Sequence, residues 1–317
     1  MKTDDAQAPS NLQSLPEGEI LPFKAEDGLE LVSAHYRVPS PRGRVLIMHG
    51  FAEHMGRYHK VVGELTSAGY TCHLFDLRGH GRSKGTRGHV SQFSDYQDDL
   101  DVFVRQTTGE SSNAAQETDR ERPRVERRHK APLILFGHSL GGLIALYYVL
   151  HRPQIFDALA VGSPFLAPAF KLPPFANEIS AVAAYVAPTL SLKSALQPEW
   201  LSHDSAVVEA YRRDPLVFSS VTSSWWHAVR RAQEEISERA NEIRTPALFL
   251  LGDADRLADS NHSQAVFKRL GSVDKQLKIY RGFFHELLNE VSRERVIEDL
   301  IAWLDIQVSH PVPIPVD

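Results

Sequence analysis

The sequence predicts a mostly parallel β-sheet with helices on both faces, which is the α/β fold class. Short, wholly apolar runs at 45–48, 133–136 and 247–251 have the composition of strands that are covered on both faces. Between such runs lie segments whose apolar residues recur at helical spacing, for example 58–68 and 96–104. Because strand and helix alternate along the chain, we expect parallel strands joined by helical crossovers.

The first part of the chain begins with a predicted hairpin and continues into the alternating pattern. Its predicted elements are strands at 20–24, 29–38, 45–48 and 70–75 and helices at 58–68 and from 94 onward. Glu26-Asp27-Gly28 between the first two strands is a hairpin signal. Gly69 closes the first helix, and Ser94 with Gln97 fits a capping box that starts the second.

In the second part of the chain, the pattern predicts strands at 131–136, 158–161, 247–251 and 277–280 and helices at 142–150 and 296–304. One stretch within it, 131–151, has no formal charge and is long enough to imitate a membrane span. Pro132 and the turn residues at 137–139 interrupt this stretch. The interruptions favour a buried strand, a turn and a buried helix over a span.

The length and composition are ordinary for a soluble globular protein. The chain has 317 residues, of which 42% are hydrophobic and 24% are charged. The net charge of −5 gives no reason to expect a nucleic-acid partner. Cys72 is the single cysteine, so an intramolecular disulfide is excluded and a reducing compartment is favoured. Because residues 1–7 also lack the apolar core of a secretory signal, we expect a cytoplasmic protein.

Changes in composition divide the chain into segments. Residues 1–18 are rich in Asp, Gln, Ser and Pro, and we expect them to form a mobile arm. The α/β core is expected at 19–164 and 241–317, and an inserted cap of short helices at 165–240. Within the core, 107–130 is densely charged and almost without large apolar side chains, which is typical of a solvated surface loop.

The pentapeptide Gly137-His138-Ser139-Leu140-Gly141 lies between a predicted buried strand and a predicted buried helix. In this context a Gly-x-Ser-x-Gly sequence predicts a nucleophile elbow. The turn is so sharp that its central residue is strained, and the flanking glycines relieve the crowding. Ser139 is therefore the candidate nucleophile. The backbone N–H of Leu140, at the start of the next helix, is a candidate donor to an oxyanion.

A second candidate donor follows the strand at 45–48. There the chain reads His49-Gly50-Phe51, and a glycine at a strand end lets the backbone approach a ligand closely. We therefore predict that the N–H of Phe51 is the second oxyanion donor. The alternative is a plain strand–helix turn without a role in binding.

A serine nucleophile needs an adjacent base, and the base needs an orienting carboxylate. Three histidines follow the penultimate predicted strand: His262, His285 and His310. His285 is the candidate base, because it lies in a glycine-containing loop directly after a strand. His262 starts a predicted helix and His310 lies among prolines. Asp253 and Asp255 both follow the penultimate strand, and their spacing alone leaves the choice of the acid open.

The predicted cap is strongly apolar in its first part and is broken into short pieces by prolines. This composition favours the wall of a gorge that accepts an acyl chain and that can also face a membrane. The candidate substrate-binding residues there are Phe165, Leu166, Phe175 and Ile179. The alternative is that the segment simply packs on itself.

Five motifs in a fixed order give the chain a family resemblance. They are HGFAEHMGRY at 49–58, FDLRGHGRS at 75–83, GHSLGG at 137–142, GDADRL at 252–257 and YRGFFH at 280–285. Together they resemble the monoacylglycerol lipase and lysophospholipase branch of the α/β-hydrolases. The similarity runs from about residue 20 to residue 305 and is weakest in the cap.

The resemblance implies an α/β-hydrolase fold with a helical cap and assigns roles to individual residues. The acid of the family is the Asp before Arg-Leu, which matches Asp255, and the histidine of the last motif matches His285. The oxyanion donors match the N–H groups of Phe51 and Leu140. The chain departs from the family pattern in the longer connection at 107–130. It also has Leu140 where Met is common, a mild change because the backbone makes the contact.

The resemblance further implies a serine carboxylic-ester hydrolase that forms an acyl-enzyme. The expected substrate is a small lipid ester, either monoacylglycerol-like or lysophospholipid-like. No metal or organic cofactor is expected, since neither a zinc-binding nor a phosphate-binding motif is present in the sequence. The alternatives are a peptidase or amidase with the same triad, a non-catalytic ligand-binding protein of this fold, and a protein whose cap docks on membranes.

Overall fold

The computed structural model describes residues 18–108, 131–171 and 176–310, without the side chains of residues 176 and 177. Most of the predicted arm 1–18, most of the predicted loop 107–130 and Phe175 therefore lie outside the described residues.

The described part of the chain alternates between strands and helices. The strands are β1 (Glu19–Lys24), β2 (Glu30–Tyr36), β3 (Gly43–Met48), β4 (Tyr70–Phe75), β5 (Leu133–His138), β6 (Ala158–Gly162), β7 (Ser191–Lys193), β8 (Ser220–Thr222), β9 (Ala247–Gly252) and β10 (Lys275–Tyr280). The helices are α1 (His59–Ser67), α2 (Ser94–Thr108), α3 (Leu140–His151), α4 (Ala176–Val186), α5 (Ser205–Arg213), α6 (Ser223–Arg239), α7 (Ser260–Arg269) and α8 (Arg293–Ser309).

Eight of the strands form one sheet, in the order β1-β2-β4-β3-β5-β6-β9-β10. The first two strands form the predicted antiparallel hairpin, and β2 pairs antiparallel with β4. From β4 onward all neighbouring strands of this sheet are parallel. The prediction of a mostly parallel sheet in the α/β class is therefore confirmed.

Helices cover both faces of the sheet, because side chains along each strand alternate between the two faces. Val45 and Ile47 of β3 pack in an apolar cluster with α1 and α8. Leu46 and Met48 of the same strand pack in a second cluster with α2, α3 and α6. This two-sided burial explains why β3 reads as a continuous apolar run rather than an alternating one.

The predicted element boundaries are close to the structure in the core. The predicted strand at 70–75 coincides with β4, and α2 begins at Ser94. The predicted helix at 58–68 is α1, which follows a short 3-10 helix at Met55–Tyr58. No helix within the described ranges combines the length and the apolar content needed to cross a membrane.

The segment 165–240, predicted to be a cap, has two structural parts. Its last helix, α6, buries Trp225, Val229 and Ile236 in the same core cluster as α3. The predicted cap segment therefore contributes one helix to the core. The remaining part contains α4, α5 and an antiparallel pair of short strands, β7 and β8, where only short helices were expected. The exact cap boundaries remain a prediction.

Candidate active site

Ser139 sits at the turn between β5 and α3 and has the strained backbone of an elbow. Its φ and ψ are 53° and −115°, a conformation that residues with a Cβ rarely adopt. A Cβ placed on Gly137 would lie 2.3 Å from the carbonyl oxygen of Gly141. A Cβ on Gly141 would lie equally close, 2.3 Å, to the carbonyl oxygen of Met48. Both glycines are therefore required by the turn, as the pentapeptide predicts.

Three side chains that are far apart in the sequence form one hydrogen-bonded row at the carboxyl edge of the sheet. The Oγ of Ser139 lies 2.8 Å from the Nε2 of His285, and the Nδ1 of His285 lies 2.8 Å from the Oδ2 of Asp255. Asp255 comes from the loop after β9, and His285 from the loop after β10. All three side chains are buried, which keeps competing water out of the row.

The structure distinguishes the two aspartates between which sequence spacing could not choose. Asp255 turns its Oδ2 to His285, while its Oδ1 accepts the N–H groups of Leu257 (2.8 Å) and Ala258 (3.0 Å). Asp253 instead accepts the N–H of Gly282 at 2.6 Å and so ties the two loops together. Only Asp255 therefore contacts the histidine, while Asp253 shapes the loop that carries it.

The electrostatic surroundings favour a protonated His285. Burial alone lowers the pKa of His285, but the charge of Asp255 and its hydrogen bond outweigh the burial. The nearby carboxylates of Glu286 and Glu53 add to this effect. The net result is a pKa raised above the ordinary value for histidine. The site is therefore suited to stabilise an imidazolium once a proton has been taken up.

The N–H of Phe51 is oriented by a neighbouring histidine, which sequence reasoning did not identify. The N–H of Leu77 donates to the Nε2 of His49 at 2.9 Å, so the proton of that ring is on Nδ1. This Nδ1–H donates to the carbonyl oxygen of Gly50 at 2.8 Å. The carbonyl of Gly50 and the N–H of Phe51 belong to one peptide group, so the bond fixes both. Burial lowers the pKa of His49 to about 3, which keeps the ring neutral.

Beside the triad lies a buried charge cluster of Glu53, Arg57 and Glu286. The guanidinium of Arg57 donates two bonds to Glu286, at 2.5 and 2.7 Å, and one to Glu53 at 3.0 Å. The Oε1 of Glu53 also accepts the N–H of Gly50 (2.5 Å) and the hydroxyl of Tyr58 (2.8 Å). The cluster therefore connects the loop of Phe51 to the loop of His285. Residues that are hydrogen-bonded to each other in this cluster are up to 229 positions apart, so no local pattern in the sequence predicts it.

A cavity of about 520 Å³ opens beside Ser139 and His285. Its floor is polar, with Glu53 and Glu286, and its walls are apolar. Of the predicted substrate-binding residues, Phe165 and Ile179 line the cavity, and Phe175 lies outside the described residues. The prediction for Leu166 differs from the structure, since this side chain is 1% exposed and packs in the core cluster with α3.

The comparisons with known proteins agree with the fold. Fold and site together define a serine hydrolase of the α/β-hydrolase fold. The chain belongs to the family described as serine aminopeptidase S33 (Hydrolase_4), whose pattern matches residues 39–292.

Several relatives of the chain are named as lipases. The monoacylglycerol lipase of Mycolicibacterium smegmatis is 32% identical over 271 residues, covering 85% of this chain and 89% of the relative. The human monoglyceride lipase is 28% identical over 300 residues, covering 92% of each. The crystal structure of the Paleococcus ferrophilus monoacylglycerol lipase superposes with a TM-score of 0.76 at 31% identity, covering 88% of this chain and 99% of that one.

Proposed function

We propose that this serine ester hydrolase cleaves the ester bond of monoacylglycerol-like lipids, with Ser139 as nucleophile and His285 as base. The observation that carries the proposal is the row of 2.8 Å contacts from Ser139 through His285 to Asp255, with Ser139 and His285 lining a mostly apolar cavity. The lipase relatives support an ester of a single acyl chain over a peptide.

The proposed reaction has two acyl-transfer steps. The Nε2 of His285 takes the proton of Ser139 as its Oγ attacks the ester carbonyl carbon, and the carbonyl oxygen becomes an oxyanion. His285 then gives the proton to the leaving glycerol oxygen, which leaves an acyl-Ser139. His285 takes a proton from a water molecule as the water oxygen attacks this ester. It then returns the proton to the Oγ of Ser139 as the bond to the acyl group breaks, which releases the fatty acid and the free serine. Asp255 holds the ring with Nδ1 protonated and stabilises the imidazolium.

In this proposal the N–H groups of Phe51 and Leu140 bind the oxyanion. Leu140 is the first residue of α3, where backbone N–H groups have no partner within the helix. The N–H of Phe51 is aimed by the bond from His49 to Gly50. Each donor of this kind contributes about 3 kcal/mol to the transition state.

The charges at the cavity floor favour a neutral head group. Two carboxylates, Glu53 and Glu286, share one guanidinium there, so the cluster keeps an excess negative charge. A phosphate on a lysophospholipid would be repelled at this end, whereas the hydroxyls of glycerol would not. We therefore rank monoacylglycerol-like esters above lysophospholipid-like ones.

The test is an ester panel with Ser139→Ala as reference. We expect the unchanged protein to prefer monoacylglycerols to diacylglycerols, lysophospholipids and aminoacyl anilides. Ser139→Ala should lose all turnover and all labelling by a fluorophosphonate. Labelling that persists in this variant contradicts the role of Ser139, and a preference for the anilide contradicts ester hydrolysis.

We also propose that the protein is cytoplasmic and meets lipid surfaces through α4 and the turn that follows it. Apolar side chains there are open to solvent, among them Val182 (64% exposed), Tyr185 (90%) and Val186 (69%). Neighbouring residues of this region, Ile179 and Leu192, line the cavity, so a docked surface would lie next to its mouth. Such an exposed apolar patch is typical of a lipid or protein contact.

The membrane proposal is tested with the double variant Val182→Ser/Val186→Ser. We expect less co-sedimentation with vesicles of neutral phospholipid. We also expect a lower ratio of activity on vesicle-borne monoacylglycerol to activity on a short, water-soluble ester. If both the activity ratio and the co-sedimentation are unchanged in the double variant, this face is not the lipid contact.

A further inference from the structure

The two loops that carry the proposed catalytic groups are both held by one segment, residues 200–214. The first loop, 50–54, contains the N–H of Phe51. The second loop, 284–290, contains His285. We call 200–214 the bracing segment; it includes α5 and the end of the short 3-10 helix at Pro198–Trp200.

The bracing segment is attached to the first loop by two side chains. The hydroxyl of Tyr211 donates to the carbonyl oxygen of Ala52 at 3.0 Å in a buried position. The Oδ2 of Asp214 lies 2.8 Å from the Nε2 of His54. In addition, the guanidinium of Arg57 lies 4.9 Å from the centre of the Tyr211 ring. These contacts join residues about 160 positions apart.

The residue that Tyr211 holds is strained. Ala52 has a φ of +56°, in the left-handed region that a residue with a Cβ avoids unless its surroundings hold it there. It directly follows Phe51. On the other side of Phe51, the N–H of Gly50 is held by Glu53 at 2.5 Å. The peptide groups around the Phe51 N–H are therefore fixed from both directions, by Glu53 on one side and by Tyr211 on the other.

The same segment is attached to the second loop. The N–H of Glu286 donates to the carbonyl oxygen of Leu201 at 2.8 Å. The Nδ1 of His203 lies 2.8 Å from the Oε1 of Glu290, which also accepts the N–H of Phe284 at 2.9 Å. The bracing segment therefore contacts both the loop of His285 and the loop of the Phe51 N–H.

We propose that Tyr211 is a positioning residue, whose hydroxyl holds the Ala52 carbonyl so that the Phe51 N–H stays aligned with the oxyanion formed at Ser139. This inference rests on the proposed function, which assigns the nucleophile and the donors. A positioning role for Tyr211 differs from a role in substrate binding, although its side chain also borders the cavity. A positioning role predicts a loss of kcat, since the bond acts on the transition state rather than on the bound ester.

The experiment compares Tyr211→Phe with Tyr70→Phe in the full chain. Tyr70→Phe is a matched control, because it also removes a tyrosine hydroxyl bonded to a protein oxygen, that of Asp305 at 2.6 Å. Tyr70 is the first residue of β4, at the amino edge of the sheet and away from the site. The measurements are kcat and KM on a short, water-soluble ester, the thermal midpoint, and the inhibition constant of an alkyl trifluoromethyl ketone. This inhibitor mimics the tetrahedral oxyanion.

We expect Tyr211→Phe to lower kcat roughly tenfold with KM unchanged, because a small misalignment of an oxyanion donor weakens transition-state binding. The inhibition constant of the ketone should rise by a similar factor. Tyr70→Phe should leave both unchanged whatever it does to the thermal midpoint. If Tyr211→Phe yields no folded protein, Asp214→Ala removes the second tie and should lower kcat in the same way.

Two results would overturn the inference. One is a kcat of Tyr211→Phe within twofold of the unchanged protein. The other is a rise in KM at constant kcat, which would make the hydroxyl a substrate contact. Failure of the proposed function is seen separately, as ester turnover that survives Ser139→Ala.

Discussion

The two ends of the cavity are built on opposite principles. At the polar end, Glu53, Glu286 and His285 are buried and each is held by hydrogen bonds to other groups of the protein. At the apolar end, Ile179 of α4 and Leu192 of β7 are exposed, with 64% and 57% of their surface open to solvent. Directional bonds must be aligned to work, whereas apolar contact has no preferred direction. We infer that the polar end determines the rate and the apolar end determines which chain is accepted.

The largest effect is expected from the pair of aspartates at the polar end. Asp255→Asn should lower kcat by about 10⁴, because the amide cannot hold the ring with Nδ1 protonated. Asp253→Asn is the matched control: it changes the same group two residues away, where only the loop bond to Gly282 is affected. It should retain most of the activity. Steady-state kinetics on a soluble ester decide this, and equal losses in the two variants would contradict the assignment of the acid.

The buried charge cluster should dominate stability at the polar end. Arg57→Met leaves the carboxylates of Glu53 and Glu286 buried without their cation, which costs about 3–5 kcal/mol. Arg212→Met removes an exposed arginine from its pairs with Glu199 and Glu209 and should cost much less, because solvent screens exposed ion pairs. Denaturant unfolding of the two variants measures the difference. Similar free energies of unfolding in the two variants would contradict a dominant contribution of the charge cluster to stability.

The pH profile reports the charges around His285. The base must be neutral to take the serine proton, so kcat/KM falls as the pH drops through the pKa of His285. Because the Asp255 carboxylate outweighs burial and raises this pKa, the acid limb should lie above the ordinary pKa of histidine, about 6.5. The limb should keep its position in a variant of the apolar end such as Leu192→Ser. An acid limb below the ordinary pKa of histidine in the unchanged protein would refute this electrostatic description.

The smallest effect is expected at the apolar end itself. Leu192→Ser removes part of the apolar wall, and the loss of about 1 kcal/mol of burial should raise KM for a long-chain monoacylglycerol roughly fivefold. Turnover of a short ester should change little. Val273→Ser removes another exposed aliphatic side chain, which does not line the cavity, and serves as the control. A large drop in the kcat of Leu192→Ser would contradict the inference that only the polar end determines the rate.

Local patterns were enough for those parts of the site that depend on neighbours in the chain. The elbow at Ser139 requires glycines two positions away on each side, and both are visible in the pentapeptide. His285 is marked by its place after a strand end, and the apolar run of β3 marks a strand covered on both faces. Spacing could not choose between Asp253 and Asp255, since the choice depends on where the loop after β10 lies.

By itself the sequence determined the order of strands and helices in the α/β core, the elbow and the candidate base, because backbone sterics and side-chain periodicity act over a few residues. Only the tertiary structure decided that α6 packs in the core, that Leu166 is buried there, and that Tyr211 reaches Ala52. It also decided that Arg57 lies between two carboxylates. Such contacts join residues that are distant along the chain, and their energies depend on the burial and geometry that the complete fold creates.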